Sequence, residues 1–167
     1  MIASAHMSPL TNITLAPGEF HFGEGNTRIT TLLGSCIAIT MWHPGLLIGG
    51  MCHFLLPSGH GRQRLSRGSY ADEAVELFLQ AIHKTGGNPL GYEVKVFGGG
   101  NMLHSSNKKL STINVSKSNI DAAFSLLEEN KFTVKASDVG GVSYRKICFE
   151  LWTGDVWVKH GRSSHEE

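Results

Sequence analysis

One cysteine and one histidine in the first third of the chain have types and spacing that could perform acyl-transfer chemistry. Cys36 and His53 lie in the mostly apolar and glycine-rich stretch LGSCIAITMWHPGLLIGGMCHFLLPSG, residues 33–59. An imidazolium beside a thiol lowers the thiol pKa, and the thiolate is the reactive nucleophile. Gly34 allows a tight bend that could present the Cys36 N–H to an oxyanion. A buried structural pair would use the same residue types, so spacing alone leaves catalysis open.

The relative position of the two residues depends on a predicted β-hairpin. Residues 36–41 and 46–53 are predicted strands, and the sequence HPG between them is typical of a turn. A turn centred on the proline–glycine bond places Cys36 directly opposite His53. Opposed residues of an antiparallel pair have Cβ atoms about 4.5–5.5 Å apart on one face. A slip of one residue would turn His53 to the other face.

The other two cysteines, Cys52 and Cys148, alternate with apolar residues and are predicted to be core thiols. An odd and sparse set of cysteines does not indicate a disulfide framework. Cys36, Cys52 and His53 do not suit structural zinc, because adjacent Cys52 and His53 point to opposite faces and no fourth ligand has standard spacing. The glycine-rich FGGGNM lacks the lysine and hydroxyl of a phosphate-binding loop. We therefore expect no metal and no cofactor.

The elements that must position these residues predict an α+β fold. Strand-like segments precede a helix over residues 71–82, whose apolar side chains recur at helical spacing. A second helix is predicted to begin at Ser118 as N-cap, with Asp121 in a capping-box-like position. Further strands follow each helix. We expect mixed or antiparallel β-sheets in a sandwich-like arrangement, with the two helices packed on one side.

Composition narrows the class of protein. The 167 residues carry a net charge of +1, which gives no electrostatic case for binding nucleic acid or a membrane surface. No window approaches the roughly 20 apolar residues of a membrane span, and the N-terminus does not read as a secretory signal. We expect a cytoplasmic protein with a flexible leader over residues 1–12, one domain over residues 13–161 and a polar tail over residues 162–167.

At these motifs the sequence resembles the CheD family of chemoreceptor glutamine deamidases. The family pattern T-x-x-G-S-C matches TLLGSC, which begins at Thr31, and G-G-M-x-H-F-x-L-P matches GGMCHFLLP. KVFGGGNML and DVGGVSYRKICF resemble two later family segments, in the same order. The resemblance covers roughly residues 13–159. The sequence departs from the family at Tyr144, where a glycine is common, in a region associated with partner contacts.

The resemblance implies a function and a set of site residues. Cys36 would be the nucleophile, His53 the base, and a threonine six residues before the cysteine, Thr30, the third polar member. The implied substrates are glutamines in the cytoplasmic domains of methyl-accepting chemotaxis receptors, which become methylatable glutamates. The implied fold is that of the cysteine hydrolases that include the deamidating cytotoxic necrotizing factors.

Partners and rival functions follow from the same resemblance. The CheC phosphatase is an implied partner that competes with receptors for the deamidase, and we expect a monomer. Two alternatives remain open from the sequence. One is another thiol acyl-transfer enzyme, such as a peptidase or transglutaminase. The other is a non-catalytic module that only binds receptors or CheC.

Overall fold

The computed structural model describes residues 8–59, 65–102 and 109–162. Within these ranges the chain forms nine strands and two α-helices. The strands are β1 (Thr11–Leu15), β2 (Phe20–Glu24), β3 (Thr27–Leu33), β4 (Ile37–His43), β5 (Ile48–Phe54), β6 (Glu93–Gly98), β7 (Val134–Val139), β8 (Tyr144–Glu150) and β9 (Val156–Gly161). The helices are α1 (Ala71–Lys84) and α2 (Lys109–Glu129), and short 3₁₀ turns span Arg67–Ser69 and Pro89–Gly91.

Three layers make up the fold. A four-stranded sheet has the order β1-β3-β8-β9, and a five-stranded sheet has the order β2-β5-β4-β6-β7. One face of the five-stranded sheet packs against both helices, and its other face packs against the four-stranded sheet. The pairs β1–β3 and β6–β7 are parallel, and the other pairs are antiparallel. The predicted α+β class, with mixed sheets and both helices on one side, is confirmed.

Helix α1 forms where its apolar period predicts. Its buried residues repeat at helical spacing on the face toward the sheet. Asp72 and Glu73 lie in the first turn, and His83 and Lys84 lie in the last, which is the favourable arrangement for the helix dipole. Gly86 follows with a φ of 71°, a left-handed conformation that ends helices at little cost in glycine.

Helix α2 does not begin where the sequence predicts. It starts at Lys109, so Ser118 is an exposed residue inside the helix and not its N-cap. Serine and asparagine usually disfavour a helix interior, because their side chains compete for backbone groups. Here Ser116 and Asn119 point into the protein and donate to carbonyls of other loops. Because tertiary hydrogen bonds satisfy the polar side chains of Ser116 and Asn119, these residues do not end the helix, which extends back to Lys109.

The hairpin of β4 and β5 forms, but its register differs by two residues from the predicted one. Ala38, and not Cys36, lies opposite His53. Because side chains alternate with a period of two, a shift of two leaves each side chain on its predicted face. Cys52 accordingly lies opposite Ile39, in the core beneath the helices.

The loop between these strands explains the shift. Four residues, 44–47, connect the strands, and the turn centre moves one residue along the chain from its predicted place. The His43 imidazole Nδ1 accepts hydrogen bonds from the N–H groups of Gly45 and Leu46, both at 3.1 Å. Leu47 then adopts a φ of 53°, in the left-handed region. A side-chain cap of this kind is not visible in a propensity pattern.

Much of the predicted leader and tail lies outside the described residues, since these exclude residues 1–7 and 163–167. Strand β1 begins at Thr11 and pairs with β3. The predicted domain bounds stay a prediction. None of the helices in the described ranges has the length and apolarity needed to cross a membrane.

Candidate active site

Cys36 lies where the chain passes from one sheet to the other. Strand β3 belongs to the four-stranded sheet and β4 to the five-stranded sheet, and residues 34–36 join them. We call residues 34–36 the nucleophile loop, after the predicted role of Cys36. The Cys36 side chain is partly buried and packs against the apolar core between the two sheets. The cysteine is therefore at the boundary between that core and solvent.

His53 faces the same layer from β5. Its side chain is 2% exposed and points toward β3 of the opposite sheet, where its Nδ1 lies 2.7 Å from Thr31 Oγ1. His53 lies opposite Ala38, two residues after Cys36, so cysteine and histidine are diagonal neighbours. Diagonal neighbours of an antiparallel pair are about 7–8 Å apart. The structure thus brings Cys36 and His53 to one end of the inter-sheet layer.

The hydrogen bonds of Thr31 fix the tautomer of His53. The Thr31 hydroxyl donates to the carbonyl oxygen of Leu15 at 2.8 Å, and a carbonyl can only accept. The single hydroxyl hydrogen is then used, so the 2.7 Å contact requires that His53 Nδ1–H donates to Thr31 Oγ1. Nε2 is left as the unprotonated nitrogen, which is the form that can act as a base. That Nε2 atom is buried and makes no hydrogen bond with the described residues.

Thr30, which the resemblance implies as the third polar member, does not contact His53. Successive residues of a strand point to opposite faces, and the inward position belongs to Thr31. Thr30 lies on the outer face of the four-stranded sheet, where its hydroxyl is 3.2 Å from that of Thr14. The signal that finds Thr31 was in the motif, since T-x-x-G-S-C fits the chain only when it starts there.

Burial sets the resting protonation of the pair. It lowers the pKa of His53 from 6.5 to about 4, although the negative charge of Glu19 acts in the opposite direction. Burial also raises the pKa of the Cys36 thiol, against a hydrogen bond with Ser35 that lowers it. Both shifts favour neutral groups. Burial therefore favours a neutral Cys36 thiol and a neutral His53 imidazole over a preformed thiolate–imidazolium pair.

The other two cysteines have different surroundings. Cys52 is fully buried and its pKa is raised to about 12 by burial, so the predicted core thiol is confirmed. The prediction for Cys148 is wrong. It is half-buried on the outer face of the four-stranded sheet, between Thr30 on β3 and Trp157 on β9. The inward positions of β8 belong to its neighbours Ile147 and Phe149.

Each carbonyl of the nucleophile loop accepts a hydrogen bond from elsewhere in the protein. Gly100 N–H donates to Gly34 O at 2.9 Å, Gly99 N–H donates to Cys36 O at 2.9 Å, and Asn119 Nδ2 donates to Ser35 O at 3.2 Å. The N–H groups of Ser35 and Cys36 make no hydrogen bond within the described part of the chain. Fixed carbonyls with free N–H groups are the arrangement that an oxyanion hole requires.

A buried arginine holds the loop that supports Cys36. Gly98 has a φ of 112°, and a Cβ built on it would lie 2.2 Å from Cys36 O, so only glycine fits. Arg145 is 3% exposed and donates to Gly98 O at 3.3 Å, to Gly140 O at 2.7 Å and to Asp138 Oδ1 at 3.0 Å. The sequence motif that contains Arg145 also contains Asp138 and Gly140, but it did not reveal the contact with Gly98 O, which lies 47 residues earlier in the chain.

The described residues contain no group of three histidine, cysteine or carboxylate side chains close enough together to hold a metal ion. At Cys36 and His53 the structure offers a thiol, an imidazole and backbone N–H groups.

Known proteins of similar sequence indicate the family of this chain. The sequence model of the CheD family, described as CheD chemotactic sensory transduction, matches residues 55–160. The chain belongs to the CheD family. A protein of Pseudomonas fluorescens named probable chemoreceptor glutamine deamidase CheD is 47% identical over 150 residues, covering 90% of this chain and 85% of that protein. A CheD relative named in the same way, from Pseudomonas syringae pv. syringae, is 46% identical over 151 residues with the same coverage.

A relative from outside Pseudomonas aligns with nearly the whole chain. Probable chemoreceptor glutamine deamidase CheD 3 of Dechloromonas aromatica is 42% identical over 165 residues, covering 98% of this chain and 96% of that protein. The predicted resemblance to the CheD family is thereby confirmed. Among solved structures, the hypothetical protein YfiH of Bacillus licheniformis aligns with a TM-score of 0.46 and 12% identity, over 75% of this chain and 50% of its own.

Proposed function

We propose that this protein is a cysteine-dependent deamidase that converts glutamine side chains of chemotaxis receptors to glutamate and releases ammonia. CheD relatives carrying the name chemoreceptor glutamine deamidase support the reaction and the substrate class. The observation that carries the assignment to residues is the His53 tautomer. Thr31 and Leu15 hold Nδ1 protonated, which leaves Nε2 as a base in the layer that also contains the Cys36 side chain.

The first half-reaction forms a thioester. His53 Nε2 takes the proton from the Cys36 thiol as the sulfur attacks the amide carbon of the substrate glutamine. The carbonyl oxygen becomes an oxyanion, which the N–H groups of Ser35 and Cys36 stabilise. The imidazolium then returns its proton to the leaving nitrogen, the C–N bond breaks and ammonia departs.

The second half-reaction releases the product. His53 Nε2 takes a proton from water, and the hydroxide formed attacks the thioester carbon. The C–S bond breaks, and the proton returns to the sulfur of Cys36. The substrate residue is now glutamate. Throughout, Thr31 keeps the imidazole oriented, but its hydroxyl cannot neutralise the imidazolium as a carboxylate does, so we expect slow turnover.

The experiment that tests this function uses a purified cytoplasmic fragment of a methyl-accepting chemotaxis receptor. Incubation with the wild-type protein is expected to add about one dalton at specific glutamines, the change from amide to acid. Cys36→Ala should fold and add nothing. Backbone cleavage, or incorporation of an added amine, would instead identify a peptidase or a transglutaminase. Receptor binding without any mass change in the wild type would identify a non-catalytic module.

The proposal includes finer points of fold and location. We propose a cysteine-hydrolase fold similar to that of the cytotoxic necrotizing factors, as the resemblance to the CheD family implies, with Cys36 between the two sheets. Superposition on an experimental structure of such a catalytic domain tests this similarity. The proposed substrates are receptor cytoplasmic domains, so we also propose a cytoplasmic location, which cell fractionation tests.

A CheC phosphatase is the protein partner that we propose, with a monomeric deamidase in its absence. Exposed apolar side chains beside the nucleophile loop support a docking surface there: Leu32 is 64% exposed, Val142 51% and Tyr144 37%. Light scattering of the protein alone and mixed with CheC tests both statements. A dimer of the protein alone, or the absence of a complex with CheC, would contradict them.

A further inference from the structure

We propose that Asn119 is a positioning residue for the deamidase reaction, and that its side-chain amide holds the nucleophile loop against the strand that carries His53. This inference rests on the proposed function, because it assigns a task to Asn119 through Cys36 and His53. Asn119 lies inside α2 and does not touch the reacting atoms.

The backbone does not brace the site at this point. The hydrogen-bonded pairing of β4 with β5 ends at Ile37 and Phe54, one residue after Cys36 and one residue after His53. Beyond Phe54 the chain turns away, and Leu55 N–H donates to Ser69 O at 2.8 Å. Among the described residues, no backbone hydrogen bond joins the nucleophile loop to residues 55–56.

The Asn119 side-chain amide spans the gap between the nucleophile loop and residues 55–56. Its Nδ2 donates to Ser35 O at 3.2 Å and to Leu55 O at 2.8 Å. Ser35 precedes the nucleophile, and Leu55 lies two residues beyond the base. The orientation of the amide is fixed, because exchanging its oxygen and nitrogen would set an oxygen against two carbonyl oxygens. One NH₂ group thus uses both of its hydrogens to hold the two sides of the site together.

The unused half of the same amide indicates that position 119 is not optimised for stability. Asn119 is fully buried, and its Oδ1 has no hydrogen-bond partner among the described residues. A buried acceptor without a partner costs stability and requires an explanation. The two hydrogen bonds that Nδ2 donates to the loops supply that explanation. Ser116, one turn earlier, adds a parallel tether by donating to Gly100 O at 2.9 Å.

Positioning of this kind affects rate more than binding. Attack on an amide carbon needs the sulfur, the base and the oxyanion donors in one geometry, and a displacement of about 1 Å can cost about 100-fold in rate. If the brace is removed, the nucleophile loop can move relative to His53 while the receptor surface is unchanged. We therefore expect kcat to fall and KM to stay nearly constant.

The test replaces Asn119 with leucine, which fills the space without donors, and with alanine as a smaller second variant. Both should lower kcat for a receptor fragment by about 10- to 100-fold and leave KM within about twofold. The rate at which iodoacetamide alkylates Cys36 at pH 7 should fall by about fivefold or more, toward the rate of His53→Gln. Leu127→Ala on the same helix is the control, because it leaves a cavity in the core beneath the helices without changing a residue that contacts the nucleophile loop.

Each outcome decides the proposal. Wild-type kcat and wild-type alkylation of Cys36 in both Asn119 variants would overturn it. An equal loss of kcat in Leu127→Ala, at matched stability toward urea, would also overturn it, because the effect would then be general destabilisation. If the wild-type protein changes no receptor glutamine, the proposed function fails. The alkylation comparison, which needs no substrate, then still decides whether Asn119 positions Cys36 and His53.

Discussion

Replacing Thr31 with valine removes one hydroxyl and leaves two buried groups without a partner. These are the N–H of His53 Nδ1 and the carbonyl of Leu15, bonded to the hydroxyl at 2.7 and 2.8 Å. A buried polar group left unpaired costs about 1–3 kcal/mol, so for two groups we expect the free energy of unfolding in urea to fall by about 2–6 kcal/mol. The catalytic loss has a separate cause. Without its acceptor, Nδ1–H no longer fixes the tautomer in which Nε2 is the base.

The expected loss in kcat is about 10- to 100-fold, the equivalent of one lost hydrogen bond of about 1.4–2.7 kcal/mol in the transition state. Ammonia release from a receptor fragment measures it. Thr31→Ser keeps the hydroxyl and should retain most activity. Thr30→Val is the matched control, because Thr30 is the adjacent residue on the outer face, and its change should cost less than about 0.5 kcal/mol. If Thr30→Val lost activity while Thr31→Val kept it, the assigned tautomer and its consequences would be refuted.

Two further predictions concern the pKa of His53 and the support beneath Cys36. Because the folded pKa of His53 is about 4 and the unfolded value is 6.5, the unfolded chain takes up a proton first as the pH falls. The contribution of His53 to the free energy of unfolding is therefore fully present above pH 6.5, and it falls by about 3 kcal/mol as the pH approaches 4. Urea titrations should show a smaller decrease in His53→Gln. An equal decrease in that variant would contradict the pKa shift. Gly98→Ala should abolish activity and destabilise the protein more than Gly140→Ala, since both have positive φ but only at Gly98 would the added Cβ lie 2.2 Å from a backbone atom, Cys36 O. Equal urea midpoints for these two variants would show that the contact with the nucleophile loop is unimportant.

The sequence predicted the hairpin and the faces of its side chains, even though it did not predict the register. The error was an even number of residues, so Cys36 and His53 kept their predicted side of the sheet. The choice between Thr30 and Thr31 failed for the opposite reason. A difference of one residue reverses the face of a strand, and within the run TTLL only the start of the motif T-x-x-G-S-C at Thr31 distinguishes the two threonines.

Interactions distant in sequence account for the rest. The start of α2 could not be predicted, because Ser116 and Asn119 donate to carbonyls of loops far along the chain. The buried Arg145 beneath the Gly98 loop is hidden for the same reason. Helix periodicity and strand alternation report which residues are buried, whereas the partners of buried polar groups depend on tertiary structure.

The most direct measurement of the central claim is the intact mass and peptide map of a receptor cytoplasmic fragment after incubation with wild-type protein and with Cys36→Ala. The account predicts a gain of about one dalton at specific glutamines with the wild type and no gain with the variant. An equal gain with both proteins would contradict the role of Cys36. No gain with either would contradict the deamidase function itself.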